Sequence, residues 1–244
     1  MDGGDTGEGP AYLQGWKTVL LWEAMETMGY DLIAFGEKDF SDTSMVWLQS
    51  HNGKKTQFVT GNLIIPGSSM HVKQPWAIVK RGDVKIGFVT ALDPRLKTRI
   101  KGYDILPVQE ILNQAQSAFT RENVDFRVMI YHGLIHEANK LAEERSDFDL
   151  ILLSHSIGRP MQSRIHPGKV AMVGPGDRGR ELAWITLKKP FNPELNDKVQ
   201  AHIIPLDNSV ASSPKADPIL KRAQEVGKSI YEGFRQKRAR LQKK

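Results

Sequence analysis

Four side chains of metal-binding type stand near the ends of predicted strands or in a glycine-rich turn. Asp5 follows two glycines, and Glu37, His132 and His155 each lie just beyond a short apolar run. Strand-end loops of an α/β sheet converge on one edge, where such folds place their sites. Two imidazoles and two carboxylates suit a borderline divalent cation. The sequence therefore predicts a metal site built from these four residues.

Alternating strand and helix patterns must position these residues, and the alternation predicts parallel strand pairing. An apolar stripe at Leu13, Trp16, Val19, Leu20, Ala24 and Met28 predicts a first helix. The other predicted helices are a short one capped by residues 41–43, then 108–119 and 135–144. The predicted strands cover residues 31–35, 74–80, 84–91, 125–131, 149–153, 169–173, 182–187 and 200–204. Arg81-Gly82-Asp83 predicts a hairpin between the second and third of these strands.

The order and the residue patterns of the strand-end loops resemble those of a known family. The chain resembles the N-terminal calcineurin-like metallophosphoesterase domain of the 5'-nucleotidase/2',3'-cyclic phosphodiesterase family. Its ordered motifs are D-x-H, G-D, G-N-H-E, H-x-G and G-H-x-H or G-H-x-Q. The corresponding segments here are Gly4-Asp5, Gly36-Glu37-Lys38-Asp39, His132-Gly133 and Ser154-His155-Ser156-Ile157. The resemblance covers roughly residues 1–240 and implies a four-layer αββα sandwich of two mixed sheets.

The resemblance also implies which metal ligands are kept. The family's second-metal set corresponds to Asp5, Glu37, His132 and His155, with Glu in place of Asn. The first-metal set is incomplete, because no D-x-H precedes Asp5 and Ile157 offers no lone pair. We therefore expect one divalent ion, which the sequence does not identify among Mn, Zn, Fe and Mg. A start of the chain that omits the D-x-H segment is an open explanation for the first of these losses.

Lys38 stands where the family has its general-acid histidine. We interpret it as a contact to a substrate phosphate rather than as a general acid, since an unperturbed Lys titrates at roughly 10.4. A plain surface lysine is the alternative interpretation. His136, four residues after His132, is expected to face solvent at the start of a helix.

Composition and charge indicate a globular domain with a basic tail. The chain has 244 residues, no cysteine and a formal net charge of +6. Residues 215–244 hold ten Lys or Arg against three Asp or Glu, so the remainder is close to neutral. Lack of Cys excludes disulfides and thiolate metal sites. The sequence shows no signal peptide, although the family is usually periplasmic or extracellular, so its localisation stays open.

The tail predicts a basic amphipathic helix. We expect a metallophosphoesterase-like domain at 1–206, a Ser-rich linker at 207–216 and a helix at 217–242, without the family's C-terminal nucleotide-binding domain. An apolar stripe from Ile219 to Phe234 predicts that the helix docks on the body. Nucleic-acid binding is not expected because interleaved aromatic residues are few. Membrane-surface binding is disfavoured because it requires a free apolar face.

Two functions from different classes remain. The first is a metal-dependent phosphoric ester hydrolase of low activity, acting on a small phosphorylated substrate. The second is a non-catalytic binding or scaffold module derived from the same family, with a protein partner. The departures at Lys38 and Ile157 favour the scaffold or a weak enzyme.

Overall fold

The computed structural model describes residues 1–7, 11–51, 55–155, 170–188 and 199–241. Its α-helices are α1 (Ala11–Thr27), α2 (Asp42–Ser50), α3 (Val108–Arg121), α4 (Ile135–Glu144) and α5 (Asp217–Leu241). The first strands are β1 (Leu32–Ala34), β2 (Gln57–Val59), β3 (Leu63–Ile64), β4 (Trp76–Arg81), β5 (Val84–Leu92) and β6 (Asp104–Ile105). The later strands are β7 (Phe126–His132), β8 (Leu150–Ser154), β9 (Ala171–Val173), β10 (Glu181–Leu187) and β11 (Val199–Pro205). Two 3₁₀ helices cover Glu37–Asp39 and Pro94–Arg99.

A five-stranded mixed sheet forms the centre of the fold, in the order β4-β5-β7-β8-β9. The hairpin β4–β5 is antiparallel, as the Arg81-Gly82-Asp83 signal predicts, and the other pairings are parallel. Helices α3 and α4 cover one face, where Leu112 and Phe119 join a buried cluster with Met129 and Ile151. The parallel strands β5, β7, β8 and β9 therefore place their carboxyl ends at the same edge of the sheet.

Two strand pairs cover the other face of this sheet. The parallel pair β1–β2 and the antiparallel pair β10–β11 contribute to a second buried cluster with β4, β5, β7, β8 and β9. Strand β1 is buried on both sides: Leu32 and Ala34 belong to this cluster, whereas Ile33 packs with Trp22 and Met45 from α1 and α2. Alternate residues of one strand thus face opposite layers. The expected four-layer αββα arrangement is confirmed.

The buried stripe of α1 differs from the predicted one. Trp16 and Met28 are exposed, while Trp22 is completely buried. The buried face runs through Gly15, Thr18, Val19 and Trp22, which repeat at helical spacing. The predicted stripe included Trp16 and left out Trp22 and the small residues. Gly15 faces the start of α2, because a Cβ on it would meet Ser41 and Thr43.

Helix α5 packs against α1, and Arg222 forms an ion pair with Glu23. Ile219, Ala223, Val226 and Ile230 are half-buried along one side of α5, at the spacing of a single helical face. No helix in the described parts of the chain is long and apolar enough to cross a membrane. The division into a body, a linker and a docked tail helix stays a proposal.

Replacing Ile230 with Asp should destabilise the protein by about 1–2 kcal/mol, because the carboxylate would stand on the half-buried side of α5 in place of an apolar side chain. Tyr231→Asp is the matched control, since Tyr231 adjoins Ile230 in the same helix and is 52% exposed. Urea unfolding followed by circular dichroism measures both variants. Equal unfolding midpoints for the two would contradict docking of α5.

Candidate metal centre

Four segments bring the predicted ligands to one edge of the central layers. His132 is the last residue of β7, and His155 directly follows β8. Glu37 opens the 3₁₀ turn that follows β1. Asp5 lies in the first segment, which is held beside β1 by a parallel bridge between Asp2 and Ile33. One ligand atom from each of the four side chains lies within 4.8 Å of the others, so the structure places the predicted residues together.

The distances between these atoms are compatible with a single cation. His132 Nε2 lies 2.7 Å from Glu37 Oε2 and 3.5 Å from Asp5 Oδ1. His155 Nδ1 lies 3.2 Å from Glu37 Oε2 and 3.8 Å from Asp5 Oδ2. Ligands of a tetrahedral ion with bonds of 2.0–2.1 Å would be separated by roughly 3.3 Å. The observed distances bracket this value, so small side-chain shifts would suffice to coordinate an ion.

His155 provides the most direct sign of a missing partner. Its Nδ1 is buried and has no hydrogen bond within the described residues, because the nearby Glu37 oxygen is not aligned for one. Buried polar atoms without partners are costly and therefore rare. His155 and Asp5 also have positive φ angles, of 80° and 64°, which cost energy in residues other than glycine. The donor set, the orphaned nitrogen and the backbone geometry fit a divalent cation.

The backbone at Gly36 allows the cluster to close. A methyl group at this position would overlap Asp5 Oδ1 and His132 Cε1. Gly36 therefore lets the chain leaving β1 pass directly beside the two ligands. A larger residue would separate the segment of Asp5 from β7.

His132 is held through both ring nitrogens. Nδ1 lies 3.0 Å from Ser154 Oγ and 3.3 Å from the carbonyl oxygen of Gly3, while Nε2 faces the carboxylates. Burial lowers the pKa of His132, but the hydrogen bond to Glu37 and the charges of Asp5, Glu37 and Asp39 outweigh it and raise the pKa. For Glu37 the effects are reversed. Burial raises its pKa, but the hydrogen bond to His132 and the charges of the nearby imidazoles hold the pKa of Glu37 well below its usual range.

These shifts predict a pH window for the metal-free protein. The lowered pKa of Glu37 stabilises the fold above about pH 4.3, and this contribution is lost as the pH falls. The raised pKa of His132 gives stability that is complete below about pH 6.5 and is lost as the pH rises through the folded-state value. In EDTA, urea unfolding should show the largest stability advantage of the parent over Glu37→Gln between these values. A difference that does not change from pH 4 to 9 would contradict an ion pair.

Asp39 organises the cluster without belonging to it, and its role was not predicted from the sequence. Its buried carboxylate accepts hydrogen bonds from the backbone N–H groups of Asp5, Gly7 and Gly36 and from the Thr6 hydroxyl, at 2.6–3.1 Å. Burial raises the pKa of Asp39, against the effect of these bonds. The sequence signal was its place as the last, acidic residue of the segment that corresponds to G-N-H-E, two residues after Glu37. Asp39 thus ties the Asp5 segment to the turn that carries Glu37.

Two cations lie on the outer side of the cluster. Lys38 Nζ is 3.1 Å from Asp5 Oδ2, and Arg99 Nη1 is 3.0 Å from Glu37 Oε1. The side chains of Lys38 and Arg99 are 34% and 60% exposed, whereas that of Glu37 is 1% exposed. Arg99 closes the 3₁₀ helix after β5, a position that no sequence pattern indicated. Arg99 neutralises the Glu37 oxygen that does not face the imidazoles, whereas Lys38 pairs with Asp5 Oδ2, which also lies 3.8 Å from His155 Nδ1.

Two further positions were singled out from the sequence. Ile157, which was expected to lack a ligand atom, falls outside the described residues. His136 is exposed at the start of α4, as expected, and contacts Arg95 and Glu137 rather than the cluster.

Comparison with solved structures identifies the fold. The chain superposes on the Thermus thermophilus sulfate thiohydrolase SoxB (TM-score 0.73, 19% identity, 93% of this chain and 42% of that one). It also matches a 5'-nucleotidase precursor from Thermus thermophilus (TM-score 0.76, 16% identity, 93% of this chain and 49% of that one). A third match is the calcineurin-like phosphoesterase YfkN from Bacillus subtilis (TM-score 0.71, 17% identity, 96% of this chain and 84% of that one). No protein-family model and no curated protein matches the sequence.

These likenesses define the class of fold. The chain has the fold of the calcineurin-like metallophosphoesterases, and its structural neighbours include 5'-nucleotidases. The resemblance stated from the sequence is confirmed at this level. The chain spans less than half the length of SoxB and of the Thermus 5'-nucleotidase.

Proposed function

We propose that the protein is a phosphoric ester hydrolase, related to the 5'-nucleotidases, that works slowly with one divalent metal ion. The observation that carries this proposal is His155 Nδ1, which is buried, has no hydrogen bond to any described residue, and lies beside two carboxylates and a second imidazole. Such a nitrogen acquires a partner when a cation binds. The fold of the neighbours supports the reaction class, and the donor set supports the metal.

Each residue has a role in this proposal. Asp5, Glu37, His132 and His155 would hold the ion, which when bound supplies a Lewis acid and a means of activating water. The carbonyl of Gly3 would accept the Nδ1 proton of His132 and thereby leave Nε2 for the ion. Lys38 would contact a phosphate oxygen as a point charge. A single ion stabilises fewer of the reacting oxygens than a two-metal clamp does, so turnover is slow.

Restoring a histidine at Lys38 should not raise phosphatase activity by more than about threefold. The replacement supplies a titratable imidazole but no further metal ligand, and the number of bound ions would limit the rate. Steady-state hydrolysis of p-nitrophenyl phosphate by the parent and by Lys38→His measures the effect. A gain of a hundredfold or more would show that proton transfer, rather than the metal, limits the parent.

Metal content and activity together test the proposal. The full chain is dialysed against Mn²⁺ or Zn²⁺, and bound metal is measured by elemental analysis beside hydrolysis of p-nitrophenyl phosphate. We expect about one equivalent of metal and slow, EDTA-sensitive hydrolysis. No bound metal, or two equivalents with rapid turnover, would reject the proposal.

A non-catalytic scaffold is the second candidate. It is favoured by the pairing of Lys38 with Asp5 and of Arg99 with Glu37, because these cations neutralise both carboxylates without an ion. The cluster would then be a buried network of ion pairs that stabilises the edge of the central sheet where β7 and β8 end. A folded chain that neither binds metal nor hydrolyses phosphate esters would favour this candidate over the enzyme.

A further inference from the structure

Arg99 is placed where it can contact an anion bound at the cluster. It closes the 3₁₀ helix that follows β5, so it reaches the site from a strand end other than those of the four candidate ligands. We propose that Arg99 is a specificity-determining residue that makes the site prefer a dianionic phosphoryl group to a monoanionic one. This inference rests on the proposed function.

The formal charges around the cluster support this preference. Asp5 and Glu37 contribute two negative charges, which Lys38 and Arg99 balance through ion pairs. A divalent ion held with neutral imidazoles then leaves these four side chains and the ion with a net charge of about +2, or about +1 when the buried Asp39 carboxylate is counted. A phosphate monoester carries roughly −1.5 to −2 at pH 7, whereas a diester carries a single negative charge. Without Arg99 the net positive charge of the site would fall by one, and the preference for a dianionic over a monoanionic phosphoryl group would weaken.

The geometry of Arg99 suits a change of partner. Among the described residues, its guanidinium makes one hydrogen bond, from Nη1 to Glu37 Oε1. Its side chain is 60% exposed, whereas that of Glu37 is 1% exposed, so Nη1 stays on the buried carboxylate while other N–H groups of the guanidinium turn toward an anion. A guanidinium has five N–H donors in a planar fork that fits two phosphate oxygens. Arg99 can therefore contact an anion without uncovering a buried group of its own.

The test compares two phosphorus oxyanions of different charge. Calorimetry measures the binding of inorganic phosphate and of dimethyl phosphate to the Mn²⁺-loaded full chain at pH 8, for the parent, Arg99→Gln and Arg99→Lys. Lys97→Gln is the matched control, because Lys97 lies in the same 3₁₀ helix, is also 60% exposed and also pairs with a carboxylate, that of Asp104. Metal content is measured for every variant.

We expect Arg99→Gln to weaken phosphate binding about tenfold or more and dimethyl phosphate binding much less, with unchanged metal content. Arg99→Lys should lie between the parent and Arg99→Gln, and Lys97→Gln should match the parent. Unchanged phosphate affinity in Arg99→Gln would overturn the inference, and so would loss of its metal, which would make Arg99 a positioning residue for Glu37.

The two proposals can fail separately. A parent that binds no metal but binds phosphate through Arg99 would reject the metal-dependent hydrolase and keep the anion contact. A parent that binds neither would reject both.

Discussion

The variant His132→Ala with His155→Ala should lose the divalent ion completely, falling from about one equivalent to none. It removes both nitrogen ligands and leaves only Asp5 and Glu37, whose carboxylates are already paired with Lys38 and Arg99. Loss of an outer-shell partner alone weakens metal binding roughly 10–100-fold, and loss of two direct ligands should cost more. Elemental analysis after dialysis against Mn²⁺ or Zn²⁺ measures the change.

His136→Ala is the control for this variant. His136 is only four residues from His132, but its side chain is 56% exposed and contacts Glu137. It should retain the parent's metal. Because alanine at His132 opens a buried space, the single variants His132→Gln and His155→Gln are measured as well, with circular dichroism to check folding. A folded double variant that keeps one equivalent would show that the ion binds elsewhere.

Replacing Asp39 with Asn should destabilise the protein by about 3 kcal/mol or more and weaken metal binding at least tenfold. Each oxygen of Asp39 accepts two hydrogen bonds. An amide keeps one oxygen but turns an N–H₂ group toward two donors, and each unpaired buried donor costs about 1–3 kcal/mol. The Asp5 segment would lose its attachment to the turn of Glu37. Urea unfolding in EDTA and Mn²⁺ titration measure the two effects.

Asp83→Asn provides the matched control, because Asp83 is exposed in the turn between β4 and β5. The same chemical change there should alter stability by less than about 0.5 kcal/mol. Asp39→Asn with the stability and metal affinity of this control would refute the organising role of Asp39. Lower stability with unchanged metal affinity would limit that role to folding.

Several elements could be predicted from the sequence because their signals are local, whereas the short strands β2, β3 and β6 were not predicted. The hairpin around Gly82 follows from turn residues, and helices α4 and α5 follow from helical periodicity, so none of them needs knowledge of distant contacts. Glu37, His132 and His155 could be selected because each lies at the end of an apolar run, and strand ends meet at one edge. Asp5 could be selected only from the ordered motifs of the resemblance.

Other features were decided by the tertiary structure. The buried face of α1 depends on the packing of Trp22 with Ile33 and Met45 and on the close approach of α2 at Gly15, so the apolar pattern of α1 alone did not reveal it. Asp39 acquires its role from donors more than thirty residues away in the chain, as well as from Gly36. Arg99 reaches Glu37 across 62 positions. Chain order carries no local signal for such contacts, because they arise only when the segments after β1 and β5 meet the first residues at one sheet edge.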